Sequence, residues 1–469
     1  MDDIPEDVLL RIFDFDRLIY LDGLAALDQL WRPSLYWGWH RLVHVCKRWR
    51  SVVFDSPKFL DLRLVCGPRT LVKFTRIWPD LPIILRGDYA GRLPEFYDFD
   101  AAIVHPNRVC EINLRLTKSQ LQRLASAMQE QFPALIHLTL SFFDNDSGPA
   151  PTLTDAFLGG SGTRLQSLEL DSIPFPSLPK LLLSSNDLVR LSLKDIPHSG
   201  YISSDSVATG LAVLANLKYL TITFKSPISC PKRQSPRPRS PPPTRIALPT
   251  LTRFEFKGIS EYLEDLVARI DAPLLDSIYI TFFHQLIFNI PQLAQFMRRT
   301  TKFQELKEAH VDFDGNGAHV ETLPPTRTFD AKSGLEISCK ELDWQLSSLA
   351  QVLTPFFPSI YLVEHLYIHE PQNFPTQRLD DVENVQWLEL FHPFTAVKNL
   401  YLSEKRTPRI AAALEELVGG RTMEALPMLQ NIYLEGLQPT EPIQKGIQTF
   451  VSARQLSDCP ITVFLWERD

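Results

Sequence analysis

An apolar-x-x-apolar-x-apolar pattern recurs from residue 59 to residue 434. The clearest copies are Leu135/Leu138/Leu140, Leu165/Leu168/Leu170, Leu188/Leu191/Leu193 and Leu217/Leu220/Ile222. They continue as Leu251/Phe254/Phe256, Leu275/Ile278/Ile280, Leu306/Ala309/Val311, Val363/Leu366/Ile368, Val397/Leu400/Leu402 and Leu429/Ile432/Leu434, with earlier copies at Phe59/Leu62/Leu64 and Val109/Ile112/Leu114. First positions from Val109 to Leu306 are separated by 26, 30, 23, 29, 34, 24 and 31 residues. The fourth and sixth positions have the period of two that puts side chains on one face of a strand, and the first is an anchor on the approach to it. One such unit cannot bury its apolar face alone, so stacked copies are expected to form a parallel sheet over one continuous core.

Between the strands the apolar period changes to that of a helix. Thr117-x-x-Gln120 matches a capping box, followed by Leu121, Leu124, Ala125 and Met128. Ser260 is placed to cap a helix carrying Leu263, Leu266, Val267 and Ile270, and Pro291 suits a first helical position before Leu293, Phe296 and Met297. Leu346, Leu349, Ala350 and Leu353 repeat the stripe, and Gly159-Gly160 and Gly419-Gly420 fall where helices should stop. Residues 225–249 interrupt the array with prolines and basic residues and no acid, which predicts a disordered insertion. Residues 312–334 form a second irregular patch.

Composition narrows the function classes. Net charge is -7 over 469 residues, which argues against a strongly basic nucleic-acid binder. The six cysteines, without a C-x-x-C pair, predict neither a disulfide scaffold nor a structural zinc site. No apolar run is long enough to span a membrane, and the acidic start MDDIPEDVLL lacks the basic and apolar regions of a secretory leader. A cytoplasmic or nuclear protein is expected, with no membrane and no nucleic-acid partner.

The first sixty residues differ from the rest. Ile4-Pro5-Glu6 is followed by Val8, Leu9, Ile12 and Phe13 at helical spacing; later comes Leu42-Val43-His44-Val45-Cys46-Lys47-Arg48-Trp49. A small helical cap on the array is one explanation. The two ends together resemble the F-box, which opens with an aliphatic-Pro-x-acid-x-Leu-x-x-Ile-Phe helix and closes with Leu-x-x-Val-Cys-basic-x-Trp. Ile4, Pro5, Glu6, Val8, Leu9, Ile12, Phe13, Leu42, Val45, Cys46, Arg48 and Trp49 carry the match. With the array behind it, the chain resembles fungal F-box proteins with leucine-rich repeats. It departs from them in a longer middle, Asp14–His40, and in repeats lacking the Asn or Cys that usually follows the strand.

The resemblance implies an α/β fold: a leucine-rich-repeat solenoid with a horseshoe-shaped parallel sheet over 61–469, preceded by a small helical F-box-like domain over 1–60. It implies that Ile4, Pro5, Val8, Leu9, Ile12, Phe13, Leu42, Val45, Cys46 and Trp49 form or support a surface for a Skp-family adaptor, which links the chain to a cullin scaffold in an SCF-type ubiquitin ligase. The repeats would hold an unknown protein substrate. A repeat scaffold not engaged with a ligase is the alternative.

Other candidate chemistry is weaker. Asp312-x-Asp314-x-Asn316-Gly317 matches the start of a calcium loop, but Leu323 stands where a bidentate Glu is needed. Gly159–Thr163 lacks the final Gly of a nucleophile elbow, and His365 and His369 flank a strand rather than share a helix face. A binding protein is expected, with no catalytic residues, metal or cofactor. Ser226, Ser235 and Ser240, each followed by Pro beside basic residues, are candidate phosphorylation sites in a tolerated insertion. In each repeat the third, fifth and seventh positions point away from the core and line the concave surface. The fifth is Tyr279, Tyr367, Tyr401 and Tyr433 in four later copies; the third is Arg190, Tyr219, Arg253 and His365. Tyr and Arg are enriched at binding hot spots, so Arg190, Tyr219, Arg253 and the four fifth-position tyrosines are the substrate-binding candidates, although Tyr is also a good strand former.

Overall fold

The computed structural model describes residues 4–25, 38–66, 80–88, 103–143, 148–230, 245–304, 306–323, 333–369, 384–404, 406–418, 421–436 and 441–466. The chain divides into two compact units, Met1–Arg190 and Leu191–Asp469, both mixed α/β with largely parallel sheets.

The first unit opens with helices Glu6–Ala25, Gly38–Leu42 and Lys47–Asp55, so the helical start and the first strands share one compact unit. Its strands are β1 (Leu64–Cys66), β2 (Ile83–Asp88), β3 (Val109–Leu116), β4 (His137–Phe142) and β5 (Ser167–Asp171), parallel and adjacent in chain order. The helix Lys118–Ala127 connects β3 to β4, and the Thr117 N–H donates to Gln120 Oε1 at 2.9 Å, one arm of the expected capping box.

The second unit contains β6 (Arg190–Ile196), β7 (Tyr219–Phe224), β9 (Arg253–Gly258), β11 (Ser277–Phe283), β12 (Glu308–Phe313), β13 (Gly317–Leu323), β14 (Ser333–Ser338), β15 (His365–His369), β16 (Asn399–Leu402), β17 (Asn431–Glu435) and β18 (Thr462–Trp466). They lie in the order β6-β7-β9-β11-β14-β13-β12-β15-β16-β17-β18. From β7 onward neighbouring strands are parallel except at β13, which runs antiparallel between β14 and β12. Short strands β8 (Ile246–Ala247) and β10 (Ile270–Asp271) form a separate parallel pair.

The period-two pattern explains these sheets. Leu138, Leu140, Leu168 and Leu170 are buried, as are Leu366, Ile368, Leu400, Leu402, Ile432 and Leu434, and the registers Leu138↔Leu168 and Leu366↔Leu400↔Ile432 set equal positions side by side. Connecting helices bury their stripes: Leu121 and Leu124, Leu263 and Leu266, Leu293 and Phe296, Leu346 and Leu353. One helix is tied to the next by a carboxylate. Glu264, 1% exposed, accepts from the Gln292 and Leu293 N–H groups at 2.9 and 2.7 Å, at the start of the helix Pro291–Arg299. A helix N-terminus is where an anionic side chain finds unpaired donors and the positive end of the dipole.

Several local expectations are corrected. Ser260 is the first residue of its helix rather than its cap; its N–H donates to Gln285 Oε1 at 3.0 Å. Leu60 is buried and Phe59 is exposed, so Leu60 rather than Phe59 joins Leu62 in the core ahead of β1. The irregular patch over 312–334 contains an antiparallel insertion. Asp314 Oδ1 accepts from the Asn316 and Gly317 N–H groups, both at 2.7 Å, closing the turn between β12 and β13. A Cβ on Gly317 would lie 2.5 Å from the Ile337 carbonyl oxygen, so this close backbone approach needs glycine. That hairpin replaces the loop-to-helix geometry a calcium loop requires. The ends of the 225–249 segment are ordered: Cys230 and Leu248 are buried, and Ile246–Ala247 forms β8. Burial pushes the Cys230 thiol up to about 12. Residues 231–244, with Ser235 and Ser240, lie outside the described residues, as do Gly419 and Gly420 and residues 26–37 of the Asp14–His40 stretch.

Candidate functional site

The helical start presents one candidate surface. Pro5 precedes the helix Glu6–Ala25, and its carbonyl accepts the Leu9 N–H at 3.1 Å. Leu9 and Phe13 are buried, the Phe13 ring 4.8 Å from that of Trp49. The Trp49 N–H donates to Cys46 Sγ at 3.4 Å, so Cys46 caps the helix Lys47–Asp55. Arg50 Nε donates to the Val43 carbonyl at 3.0 Å, and Arg48 donates to the Ile4 carbonyl, tying that helix to the chain start. Leu9 and Phe13 therefore support this segment from inside. Val8 (40% exposed), Ile12 (48%) and Phe15 (65%), at i, i+4 and i+7, leave an apolar stripe open, and Val45 is 53% exposed. Pro5 and Cys46 are also exposed; Ile4, Leu42 and Trp49 are half-buried.

The second candidate lies on the face of the second unit's sheet opposite the buried ladder. The register runs His310↔Tyr367↔Tyr401↔Tyr433↔Phe464 across β12, β15, β16, β17 and β18. Adjacent rings are stacked with centroids 4.4, 4.2, 4.4 and 5.1 Å apart and planes within 18° of parallel. The spacing follows from the ~4.8 Å between strands, which sets equivalent aromatic positions at stacking distance. Trp466 reaches back over this row, 5.5 Å from Tyr401 in a T-shaped contact and 6.3 Å from His369. Beside the rings, Asn431 Nδ2 donates to Asn399 Oδ1 at 2.8 Å, and Tyr401 Oη lies 3.5 Å from His365 Nδ1. The three central tyrosines are half-buried, and burial, reinforced by Tyr367, pushes the Tyr401 phenol above its ordinary range.

Thus Tyr367, Tyr401 and Tyr433 are brought together, whereas Tyr279 is not with them: β14, β13 and β12 stand between β11 and β15. Tyr279 packs beside Gly334, where a Cβ would come within 2.6 Å of its ring, and Arg253 lies 5.6 Å from its centroid. Tyr219 and Arg253 are register partners. Arg190 is exposed, with Nε 3.9 Å from Glu169 Oε1. His369, placed by its seventh position on the open face, is buried beneath Trp466 and beside His310.

Sequence reasoning missed His310, Phe464 and Trp466. His310 could have been found at the fifth position of the Leu306 copy. Phe464 and Trp466 escaped because Pro460 stands where Leu429 anchors the preceding copy, as the Asn431↔Thr462 register shows. Among the described residues, no three His, Cys, Asp or Glu side chains are placed to hold a metal ion, and no helix is long and apolar enough to cross a membrane. Both candidate surfaces offer apolar contact with a polar edge rather than a reacting constellation. No protein-family model matches the sequence, and no curated protein matches it.

Proposed function

We propose that the chain is a substrate-recognition adaptor of an SCF-type cullin ubiquitin ligase, with the helical start acting as an F-box for a Skp-family adaptor and the strand–helix units acting as leucine-rich repeats that hold a protein substrate. The observation that carries this reading is the stripe Val8, Ile12 and Phe15, exposed while Leu9 and Phe13 on the same helix are buried. Fully burying one such side chain is worth about 1.5–3 kcal/mol, so three on one helix face can anchor a partner. In this reading the chain has no catalytic residues of its own, and the aromatic row is the substrate-facing surface.

The test is co-expression with a Skp-family adaptor and tagged recovery of the complex. Ile12→Asp combined with Val8→Asp should reduce adaptor recovery at least tenfold, since truncating one hot-spot residue costs about 2 kcal/mol or more. Both positions are exposed, so the circular dichroism spectrum should be unchanged. Equal recovery from the double variant, or none from the unaltered chain, refutes the F-box reading; the second result leaves a repeat scaffold outside the ligase.

A further inference from the structure

The charged residues of the second unit are partitioned along its sheet. Strands β11 to β18 carry Glu308, Asp312, Glu321, Glu336 and Glu435 and contain neither Lys nor Arg. All five acids are half-buried, and their registers interleave them with the aromatic row: Glu321 opposes His310, Glu308 opposes His365, and Asp312 opposes His369. On the strands of this unit positive charge is confined to the earlier ones, where Lys194, Arg253 and Lys257 lie on β6 and β9 together with Asp195 and Glu255.

We infer that the β11–β18 face binds an extended polypeptide segment rich in Lys and Arg. The inference rests on the substrate-facing role proposed above and names the chemistry of what is held. The five stacked rings cross four strand spacings of about 4.8 Å, roughly 19 Å, which matches about six residues of extended chain at ~3.3 Å each. Lys and Arg suit both features at once. Their aliphatic stems lie on ring edges and on Phe464, which is 42% exposed, while their charged heads reach the carboxylates alongside. An acidic segment would meet like charge without a compensating cation on these strands. A purely apolar segment would leave the carboxylates desolvated and unpaired. On β6 and β9 the cations Lys194, Arg253 and Lys257 outnumber Asp195 and Glu255, which disfavours the same basic segment there.

The probe is a fluorescein-labelled twelve-residue peptide alternating Lys or Arg with Ser and Gly, measured by fluorescence anisotropy with the full chain; its Glu-for-Lys/Arg counterpart is the control. The basic peptide should bind at least tenfold tighter than the acidic one, and its affinity should fall with rising salt. Glu308→Lys with Glu336→Lys should weaken it at least tenfold, and Phe464→Ala should weaken it severalfold. Equal binding of both peptides, no binding of the basic one, or unaltered affinity in the charge-reversed variant overturns the inference. So does a concentration-dependent dimer that buries Phe464 and excludes the peptide. Skp-family adaptor recovery is read separately on the same variants. If the peptide fails while the adaptor is retained, only the substrate chemistry falls; if the adaptor is lost while the peptide binds, the ligase role falls and the basic-segment site stands.

Discussion

Arg454 lies on the last helix, Glu441–Leu456, and is wholly buried; one hydrogen bond goes to Met423 Sδ at 2.6 Å and the others go to backbone carbonyls. Nη1 donates to the Thr422 carbonyl at 3.1 Å, and Nη2 donates to those of Leu426, Pro427 and Leu429 at 3.2, 2.9 and 3.4 Å. These carbonyls belong to the turn that leads into β17 and so delivers Tyr433 to the aromatic row. Arg454→Leu keeps most of the apolar bulk and removes every donor. The Leu426 carbonyl still accepts the Leu429 N–H at 3.1 Å, but the Thr422, Pro427 and Leu429 carbonyls lose the guanidinium. Three acceptors at about 1–3 kcal/mol each, the partly buried Pro427 carbonyl at the low end, give a gross cost of ~3–9 kcal/mol. Burial lowers the Arg454 pKa, so the cation is itself held against a desolvation penalty, and removing it returns part of the cost. The net expectation is about 3 kcal/mol, or roughly a hundredfold in the local opening equilibrium. Native-state hydrogen exchange, read by mass spectrometry on peptides covering residues 422–434, should show that loss of protection. Arg454→Lys adds a sign test. A buried lysine has a depressed pKa, the unfolded chain keeps its proton up to about 10.4, and stability should therefore rise with pH from neutral toward that value. Protection unchanged within threefold in Arg454→Leu would show that water satisfies these carbonyls and that the guanidinium does not hold the turn.

Gly334→Ala should displace the Tyr279 ring, since the new Cβ would sit 2.6 and 2.8 Å from two of its carbons; near-ultraviolet circular dichroism should change and be recovered in Gly334→Ala/Tyr279→Ala. The His284 ring lies 4.3 Å from that of Trp344 at a tilt of 40°, and burial lowers its pKa. The folded state thus favours the neutral ring, and the stability it contributes is present above the unfolded value near 6.5 and lost as pH falls through the folded one. His284→Phe should flatten the dependence of the urea midpoint on pH below about 6.5; an unchanged slope would mean that the ring titrates alike in both states.

The helical start shows where sequence pattern stops. Val8, Leu9, Ile12 and Phe13 are all apolar at helical spacing, so periodicity alone marks two adjacent sides of the helix as candidates for burial. Tertiary packing, with Phe13 against Trp49, decides between them, burying Leu9 and Phe13 and leaving Val8 and Ile12 outside. Cys46, matched by motif, acquires a physical role only when its sulfur is seen to accept the Trp49 N–H.

In the repeating part, pattern alone marks which side chains of each strand face the core, because a period of two is local and every copy restates it. It also placed Tyr367, Tyr401 and Tyr433 at one position of the repeat, from which parallel pairing in register follows. Strand neighbours are a long-range choice that no single copy encodes. The antiparallel return of β13 puts three strands between Tyr279 and Tyr367, and Pro460 hides the last strand from an anchor-based reading. Long-range packing is what extends the tyrosine row by His310 and Phe464, folds Trp466 back over it, and buries Arg454 and Glu264. Those two charged residues hold backbone groups 25 to 32 and 28 to 29 positions away, separations at which composition and periodicity carry no signal.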